Sequence, residues 1–186
     1  SVFMAPVAFL QQPIRWLRAI QATKGGIVAG GPNFAFDLCV RKVTEEQMQG
    51  LDLSGWRVAY SGAEPVRAHT LKAFAEKFAS VGFNPKAFYP CFGLAEATLF
   101  VSGGASSTGA HIEPFSARGL ANNVGAAPED EADAAELVSC GRPWAGGDVR
   151  ICAPDSLDAL PEGQIGEIVV AGDHVAAGYW GRSAET

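Results

Sequence analysis

The residues best suited to chemistry lie in one short segment, where the ring of Phe92 and the carboxylate of Glu96 flank Gly93. An aromatic ring can stack on a nucleotide base, and a carboxylate can bind a magnesium ion that bridges phosphates. The apolar residues around Phe88 predict a short buried strand that ends at Pro90, because proline cannot donate to a strand ladder. Gly93 then permits a bend. We therefore predict that Phe92 and Glu96 lie at the rim of a cleft beyond a strand end.

A second segment of this kind follows an earlier predicted strand. The mostly apolar Trp56–Tyr60 leads directly into Ser61–Pro65, in which Gly62 and Ala63 carry little side chain. The backbone there can approach a flat ring and contact its edge. Ligands of an open parallel sheet bind beyond the carboxyl ends of its strands, so the two segments together predict a nucleotide site. Each segment alone is equally consistent with an ordinary surface turn.

The elements that would hold these segments alternate between strand and helix. Strands are predicted at Ile27–Ala29, at Trp56–Tyr60 and around Phe88, and helices are predicted after Pro13, after Asn33 and after Pro65. The second of these helices should turn Phe34, Phe36 and Leu38 inward. The third has one apolar face with helical spacing, formed by Leu71, Phe74, Ala75 and Phe78. This order is typical of parallel βαβ units and predicts an α/β fold.

The pattern changes in the second half of the chain. Residues 105–139 show little periodicity and are predicted to be a loop or an insertion. From residue 140 onward, short apolar runs at Asp148–Cys152 and Ile165–Val170 alternate with turns, which predicts the start of a β-rich subdomain with antiparallel strands or part of a barrel. The predicted organisation is therefore an α/β subdomain over 1–104, an insertion over 105–139 and a β-rich segment over 140–186.

Composition excludes several classes of protein. The net charge is −6, and five acidic residues lie in the run from Glu129 to Glu136, so no basic face favours nucleic acid. No uncharged stretch is long enough to span a bilayer. The four cysteines form no C-x-x-C pair, which favours a reduced, cytoplasmic protein over a disulfide scaffold or a zinc site. The three histidines are scattered and predict no metal cluster.

Common catalytic motifs are missing from the sequence. No two glycines are separated by a single residue, so the dinucleotide motif G-x-G-x-x-G does not occur, and neither does G-x-x-x-x-G-K-[ST]. Ser61 is not in a G-x-S-x-G context, which argues against a serine hydrolase.

Five ordered segments resemble the adenylate-forming superfamily of acyl-CoA synthetases and luciferases. Phe92–Glu96 resembles its aromatic-Gly-x-Thr-Glu motif, and Ser61–Pro65 resembles its adenine-edge loop. The segments Gly141–Pro143, Gly163–Gly172 and Gly178–Trp180 resemble the strands that lead to its ribose-binding aspartate. The likeness covers nearly the whole chain.

Within this superfamily the chain most resembles the fatty acyl-AMP ligases. The segments that carry this likeness are Pro6–Leu10 with Pro13 and Arg15-Trp16, Gly31–Leu38, and Gly93–Thr98. Such ligases use ATP to convert a fatty acid into an acyl-adenylate and pass the acyl group to a carrier protein rather than to coenzyme A. The resemblance thus implies a role in fatty acid metabolism, with fatty acid, ATP and an acyl carrier protein or polyketide synthase as partners.

The resemblance also implies roles for individual residues. Gly62, Ala63 and Glu64 would line adenine, Phe92 would pack against it, and Glu96 would be the catalytic magnesium ligand. The full predicted nucleotide-binding set is Ser61, Gly62, Ala63, Glu64, Phe92, Gly93, Leu94 and Ala95. Ala95 stands where the wider superfamily has threonine, an alanine that the fatty acyl ligases share. Met4, Phe34 and Phe36 are candidates for an acyl pocket, with core packing as the alternative.

The resemblance further predicts that the chain is an internal piece of such a ligase and does not catalyse adenylation by itself. The family's phosphate loop would precede residue 1, and its ribose aspartate and carboxy-terminal lysine would follow residue 186. Two alternatives stay open. One is an acyl-CoA synthetase with coenzyme A as the acceptor, and the other is a non-catalytic binding protein of the same fold.

Overall fold

The computed structural model describes residues 2–185, and their contacts divide into two units. The first unit contains the residues up to Pro90 together with Gly104–His111. The second contains Cys91–Gly103 and residues 112–185. Each unit has its own paired strands and its own buried side chains.

The first unit is a parallel α/β structure. Its elements in chain order are α1 (Pro6–Gln11), α2 (Ile14–Ala22), β1 (Ile27–Gly31), α3 (Asn33–Lys42), α4 (Glu45–Met48), β2 (Trp56–Ser61), α5 (Ala68–Phe78) and the start of β3 (Phe88–Leu94). Strand β1 pairs in parallel with β2, and β2 pairs in parallel with residues 88–90 of β3. This arrangement confirms the α/β fold class predicted from the alternation of apolar segments.

The helices follow the predicted apolar faces with two differences. Ile14, Leu17 and Ile20 are all buried on one side of α2, as their spacing requires. In α3, Phe36 is fully buried but Phe34 is 44% exposed, so the prediction that Phe34 turns inward was wrong. Phe34 is the second residue of α3 and lies in its first turn. Helix α5 also begins at Ala68, three residues after Pro65.

Aromatic side chains fill the centre of the first unit. The rings of Phe36 and Phe74 meet edge to face with centroids 5.1 Å apart, and both contact Trp56. Phe83 and Phe88 continue the cluster with centroids 5.0 Å apart. The indole Nε1 of Trp56 donates to the carbonyls of Ala29 and Val58 at 3.1 and 3.0 Å, so the one polar atom of this ring is satisfied inside the core. The cluster therefore joins α3 and α5 to β2.

The second unit is built from antiparallel pairs. Its elements are residues 91–94 of β3, then β4 (Leu99–Gly103), β5 (Ile112–Ser116), α6 (Ala117–Ala121), β6 (Ala134–Val138), β7 (Arg142–Pro143), β8 (Asp148–Cys152) and β9 (Glu167–Ala171). Strand β4 lies between β3 and β7, whereas β5–β6 and β8–β9 form two-stranded sheets. The antiparallel pairing predicted for residues beyond 140 is present in β8 and β9.

Two local predictions were correct only in part. The parallel ladder with β2 ends at Pro90, which pairs with Ser61, but the strand itself continues to Leu94 through antiparallel pairing with β4. Residues 105–139 are not a loop throughout, since they contain β5, α6 and β6, and that they form an insertion stays a prediction. The long-range partners that stabilise these strands leave little trace in local periodicity.

A buried carboxylate organises the connection between β5 and β6. Asp133 is 5% exposed and accepts hydrogen bonds from the backbone N–H and Nε of Arg118, both at 3.1 Å, and from the N–H of Glu129 at 3.3 Å. The hydroxyl of Ser116, together with these donors, holds the pKa of Asp133 far below its usual range. One member of the acidic run is thus an internal acceptor rather than a solvated charge.

Among residues 2–185, none of the helices combines the length and the apolar character that a bilayer span requires.

The aromatic cluster predicts that the stability of the first unit depends on Phe74. Phe74→Ala should lower the free energy of unfolding by about 3–5 kcal/mol, because it removes a fully buried ring and leaves a cavity among its neighbours. Phe3→Ala is the matched control, since Phe3 is 92% exposed and should change stability by less than about 0.5 kcal/mol. Urea unfolding followed by tryptophan fluorescence measures both, and equal losses would contradict the assignment of the core.

Candidate nucleotide site

Phe92 and Gly93 lie within a strand, not in the turn that the sequence predicted. Phe92 pairs with Ser102 and Gly93 pairs with Phe100, and the register shifts between these two pairs. A Cβ atom added at Gly93 would lie 1.6 Å from the carbonyl oxygen of Leu99. Gly93 is therefore required by the close approach of β4, and the bend that we predicted for it occurs instead at the β3–β4 connection.

This connection presents Glu96 to solvent. Residues Ala95–Ala97 form one 3-10 turn, with Ala97 buried beneath it and Glu96 exposed above it. Thr98 and Leu99 then both have positive φ angles, 51° and 79°, a conformation that non-glycine residues adopt at a cost. Two consecutive left-handed residues reverse the chain within a short distance, which is how β4 returns so close to Gly93.

A distant segment holds the turn in place. The backbone N–H of Ala176 donates to the carbonyl of Glu96 at 2.6 Å, and the hydroxyl of Thr98 donates to the carbonyl of His174 at 2.6 Å. These two hydrogen bonds anchor the turn at Glu96 and at Thr98. The side chain of Glu96 is thus presented from a fixed backbone.

Tyr179 is the functional neighbour that sequence reasoning missed. Its hydroxyl donates a hydrogen bond to Oε1 of Glu96, and this bond lowers the pKa of Glu96 while it raises the pKa of Tyr179. The two residues are 83 positions apart, so no local pattern links them. The segment Gly178–Trp180 was noticed only for its family resemblance.

The pair opens onto a cavity of about 370 Å³ in the second unit. Its walls come from the anchored turn and from the segment that anchors it, namely Ala95, Glu96, Val175, Ala176, Gly178, Tyr179 and Glu185. Apolar atoms make up most of this lining, and Glu96, Glu185 and Tyr179 are the lining residues with polar side chains. A cavity with a few convergent polar groups is the usual form of a small-molecule site.

The Ser61–Glu64 segment lies in the first unit at the end of β2. Ser61 is fully buried and is the last residue of the strand, Gly62 is half-buried, and Ala63 and Glu64 are exposed. Ala63 has a positive φ of 66°. Glu64 does not project freely, because its Oε1 accepts a hydrogen bond from the backbone N–H of Phe34 at 2.5 Å.

The nine predicted site residues therefore fall into two groups. Ser61 to Glu64 belong to the first unit, and Phe92 to Glu96 belong to the second. Each group is internally ordered by hydrogen bonds that the sequence did not reveal. That both groups contact one nucleotide stays a prediction.

The candidate acyl-pocket residues have separate positions. Phe36 lies in the aromatic core, as the core-packing alternative requires, whereas Phe34 is exposed and contacts Phe9 with ring centroids 6.4 Å apart. Met4 is half-buried before α1. Of the three, Phe34 is the one whose ring is available to a ligand.

The donor set around Glu96 can be compared with what magnesium requires. Within residues 2–185, no three His, Cys, Asp or Glu side chains are grouped so as to hold a metal ion. Magnesium at nucleotide sites commonly takes one or two protein carboxylates, with phosphate and water oxygens completing its shell. Glu96 provides a single exposed carboxylate, and Tyr179 orients one of its oxygens. This arrangement fits a magnesium ion whose other ligands are phosphate and water oxygens.

The chain belongs to the family described as AMP-binding enzyme, whose model matches residues 1–180. This match confirms the family resemblance seen in the sequence. Among curated relatives, the chain is 42% identical over 186 residues to the medium-chain-fatty-acid–acyl-carrier-protein ligase JamA of Moorena producens, covering 98% of this chain and 31% of that protein. It is 37% identical over 187 residues to the long-chain-fatty-acid–AMP ligase FadD26 of Mycobacterium bovis, covering 100% of this chain and 32% of that protein.

Solved structures agree with these relatives. A fatty acyl-adenylate ligase from L. pneumophila, determined in complex with acyl adenylate and pyrophosphate, matches with a TM-score of 0.92 and 42% identity. The match covers 98% of this chain and 32% of that one. The chain thus spans about a third of the length of the relatives that it matches.

The close approach at Gly93 predicts an unequal response of two glycines to the same change. Gly93→Ala should cost about 1–3 kcal/mol of stability, because the new Cβ collides with the Leu99 carbonyl and β4 must move. Gly104→Ala is the matched control, since nothing lies within 4 Å of a Cβ there. It should change stability by less than about 0.5 kcal/mol. Urea unfolding of the two variants checks the difference, and a neutral Gly93→Ala would contradict the observed register.

The Tyr179–Glu96 hydrogen bond predicts that the pKa of the Tyr179 phenol is raised. A carboxylate beside a phenol disfavours the phenolate, so the pKa of Tyr179 should lie above its usual range in the native protein and fall toward that range in Glu96→Gln. The difference in near-ultraviolet tyrosinate absorbance between the native protein and Tyr179→Phe isolates this group. Glu136→Gln, an exposed change on β6, should leave the curve unchanged. If the pKa of Tyr179 is the same in Glu96→Gln as in the native protein, the two side chains do not contact each other.

Proposed function

We propose that this chain supplies the adenine- and magnesium-binding part of a ligase that activates a fatty acid as an acyl-adenylate and transfers it to an acyl carrier protein. Both relatives described above are named as fatty acid ligases, which supports the acid, and the name of JamA includes the acyl carrier protein, which supports the acceptor. The observation that carries the proposal is the exposed Glu96 carboxylate, presented from a turn with two anchoring hydrogen bonds and oriented by Tyr179.

The proposed roles follow from how each side chain is held. Phe92 offers a half-buried ring on a paired strand, where it would stack on adenine with little loss of rotamer freedom. Gly62 and Ala63 would present backbone groups to the edge of the base. Glu96 would bind magnesium through the oxygen that Tyr179 leaves available. Ser61, Gly93, Leu94 and Ala95 would shape the two segments rather than contact the phosphates.

The proposed reaction asks little acid–base chemistry of these residues. The fatty carboxylate attacks the α-phosphate of ATP, the acyl-adenylate forms, and pyrophosphate leaves. A bound magnesium ion would offset phosphate charge during this exchange. The residues of this chain hold the base and the metal carboxylate in place, and such positioning with electrostatic stabilisation supplies most of the rate enhancement in phosphoryl chemistry.

The second product-forming step defines the partner. An acyl-adenylate is a reactive mixed anhydride, and a carrier-protein thiol would attack its carbonyl carbon and release AMP. Coenzyme A carries the same thiol chemistry. The acceptor in the complete natural protein is therefore measured by offering both thiols to the same adenylate, and preferential loading of coenzyme A would favour an acyl-CoA synthetase. Residues 1–186 alone should give no turnover with either thiol.

The proposed stacking role of Phe92 has a direct test. Phe92→Ala should weaken binding of a non-hydrolysable acyl-adenylate analogue to the complete natural protein by about two- to twelvefold, because aromatic stacking contributes roughly 0.5–1.5 kcal/mol. Phe115→Ala removes an equally half-buried ring on β5 and should leave the affinity unchanged. Isothermal calorimetry measures both variants. Equal affinity of Phe92→Ala and the native protein would remove Phe92 from the site, and failure of the native protein to bind would overturn the proposed function.

A further inference from the structure

Helix α3 begins without a capping side chain of its own. Pro32 occupies its N-cap position and makes no side-chain hydrogen bond, and the first turn contains no acidic residue. The first backbone N–H groups of any α-helix lack partners inside the helix. A negative charge near them is favourable because the helix dipole places partial positive charge there. The start of α3 therefore needs an acceptor from elsewhere in the chain.

Glu64 is that acceptor. Its Oε1 receives the N–H of Phe34 at 2.5 Å, across 30 positions in the sequence. Glu64 immediately follows Ala63, which has a positive φ of 66°. A left-handed alanine persists only where its surroundings determine it, and the carboxylate of Glu64 fastens the chain directly after this residue. One side chain thus ties the proposed adenine-edge loop to the first turn of α3.

A second connection lies beside the first. Asn33 is 6% exposed, its Oδ1 accepts from the N–H of Arg67 at 3.0 Å, and its Nδ2 donates to the hydroxyl of Thr70 at 3.3 Å. Residues 33 and 34 are consequently joined to the stretch 64–70 by three hydrogen bonds. A shift of the loop must move the start of α3, or break these bonds.

The residue on the far side of the Glu64 bond carries an exposed apolar ring. Phe34 is 44% exposed and meets Phe9 of α1 edge to face, and Phe9 in turn contacts Trp16 with centroids 5.8 Å apart. An apolar ligand that packs on Phe34 would contact the same helical turn whose backbone N–H is bound to Glu64.

We propose that Glu64 is a positioning residue that couples the adenine-edge loop, Ser61–Pro65, to the apolar surface at Phe34. The adenylate part of the ligand and its acyl chain then strengthen each other's binding. The proposal rests on the proposed function for the identity of the two ligand parts. It replaces the direct contact between Glu64 and adenine that the sequence predicted. Coupling between sites is reciprocal. Binding of the adenine end should therefore raise the affinity for the acyl end by the same factor as the acyl end raises the affinity for adenine.

The link itself is tested without any ligand. Glu64→Ala should raise the hydrogen-exchange rate of the Phe34 amide by about tenfold or more, as expected for the loss of one hydrogen bond to a charged group. Glu64→Gln keeps an acceptor of the same shape and should restore most of the protection. Glu76→Ala, an exposed change on α5, is the matched control and should leave this amide unchanged. Unaltered exchange at Phe34 in Glu64→Ala would overturn the proposal.

The coupling is tested with two ligands on the complete natural protein. AMP and a non-hydrolysable fatty acyl-adenylate analogue are titrated into the native protein, Glu64→Gln and Glu64→Ala. In Glu64→Ala the affinity gain from the acyl chain should shrink by about fivefold or more, within the usual range of coupling energies, while Glu64→Gln should stay close to the native ratio. An equal loss for both ligands would show direct contact with adenine and overturn the coupling.

Different results would overturn the proposed function and the coupling. If the native protein binds neither ligand, the proposed function fails and the coupling fails with it, although the Phe34 exchange rate still decides whether Glu64 holds α3. If both ligands bind and the acyl gain is insensitive to Glu64→Ala, the proposed function survives and only the coupling is overturned.

Discussion

The packing of aromatic rings around Trp56 is the constraint on which the first unit depends. Trp56 contacts Phe36 from α3 and Phe74 from α5, so a single side chain of β2 fixes two helices. Its indole N–H also binds the carbonyl of Ala29 in β1. The carboxyl ends of β1 and β2 are consequently held in fixed positions. The residues that follow these strands therefore begin from a rigid backbone. The hydrogen bond from Phe34 to Glu64 joins the residues after β2 to the first turn of α3, two elements that this packing also holds together.

The second unit also holds its candidate site residues in fixed positions, but not by the packing of large side chains. It has few large buried side chains, and Val101 on β4 is one of those that are fully enclosed. Order around Glu96 comes instead from backbone geometry, through the approach of β4 to Gly93 and the hydrogen bonds from the 174–176 segment. A carboxylate on such a turn loses little conformational entropy when it binds a ligand, because its backbone is already fixed.

The sequence predicted what depends on local spacing. The buried face of α2 at Ile14, Leu17 and Ile20 follows from helical periodicity, and the parallel order of strands follows from the alternation of elements. What it did not predict depends on partners far along the chain. Pro90 remains in a strand because Ser61 pairs with it, and Tyr179 orients Glu96 from 83 positions away. Residue types located the candidate site, but only the fold could supply the hydrogen bonds that orient it.

The hydrogen bonds to Asp133 set it apart within the acidic run between Glu129 and Glu136. Asp133 is held in its charged form by Ser116, Arg118 and the N–H of Glu129, which together outweigh the opposing effect of burial on its pKa. A carboxyl with a depressed pKa contributes its full stability above its unfolded pKa, and this contribution declines below that value until it is lost as pH falls through the folded pKa. The β5–β6 hairpin therefore keeps its internal charge in acid that would neutralise an unperturbed aspartate, while the stability gained from that charge already declines there.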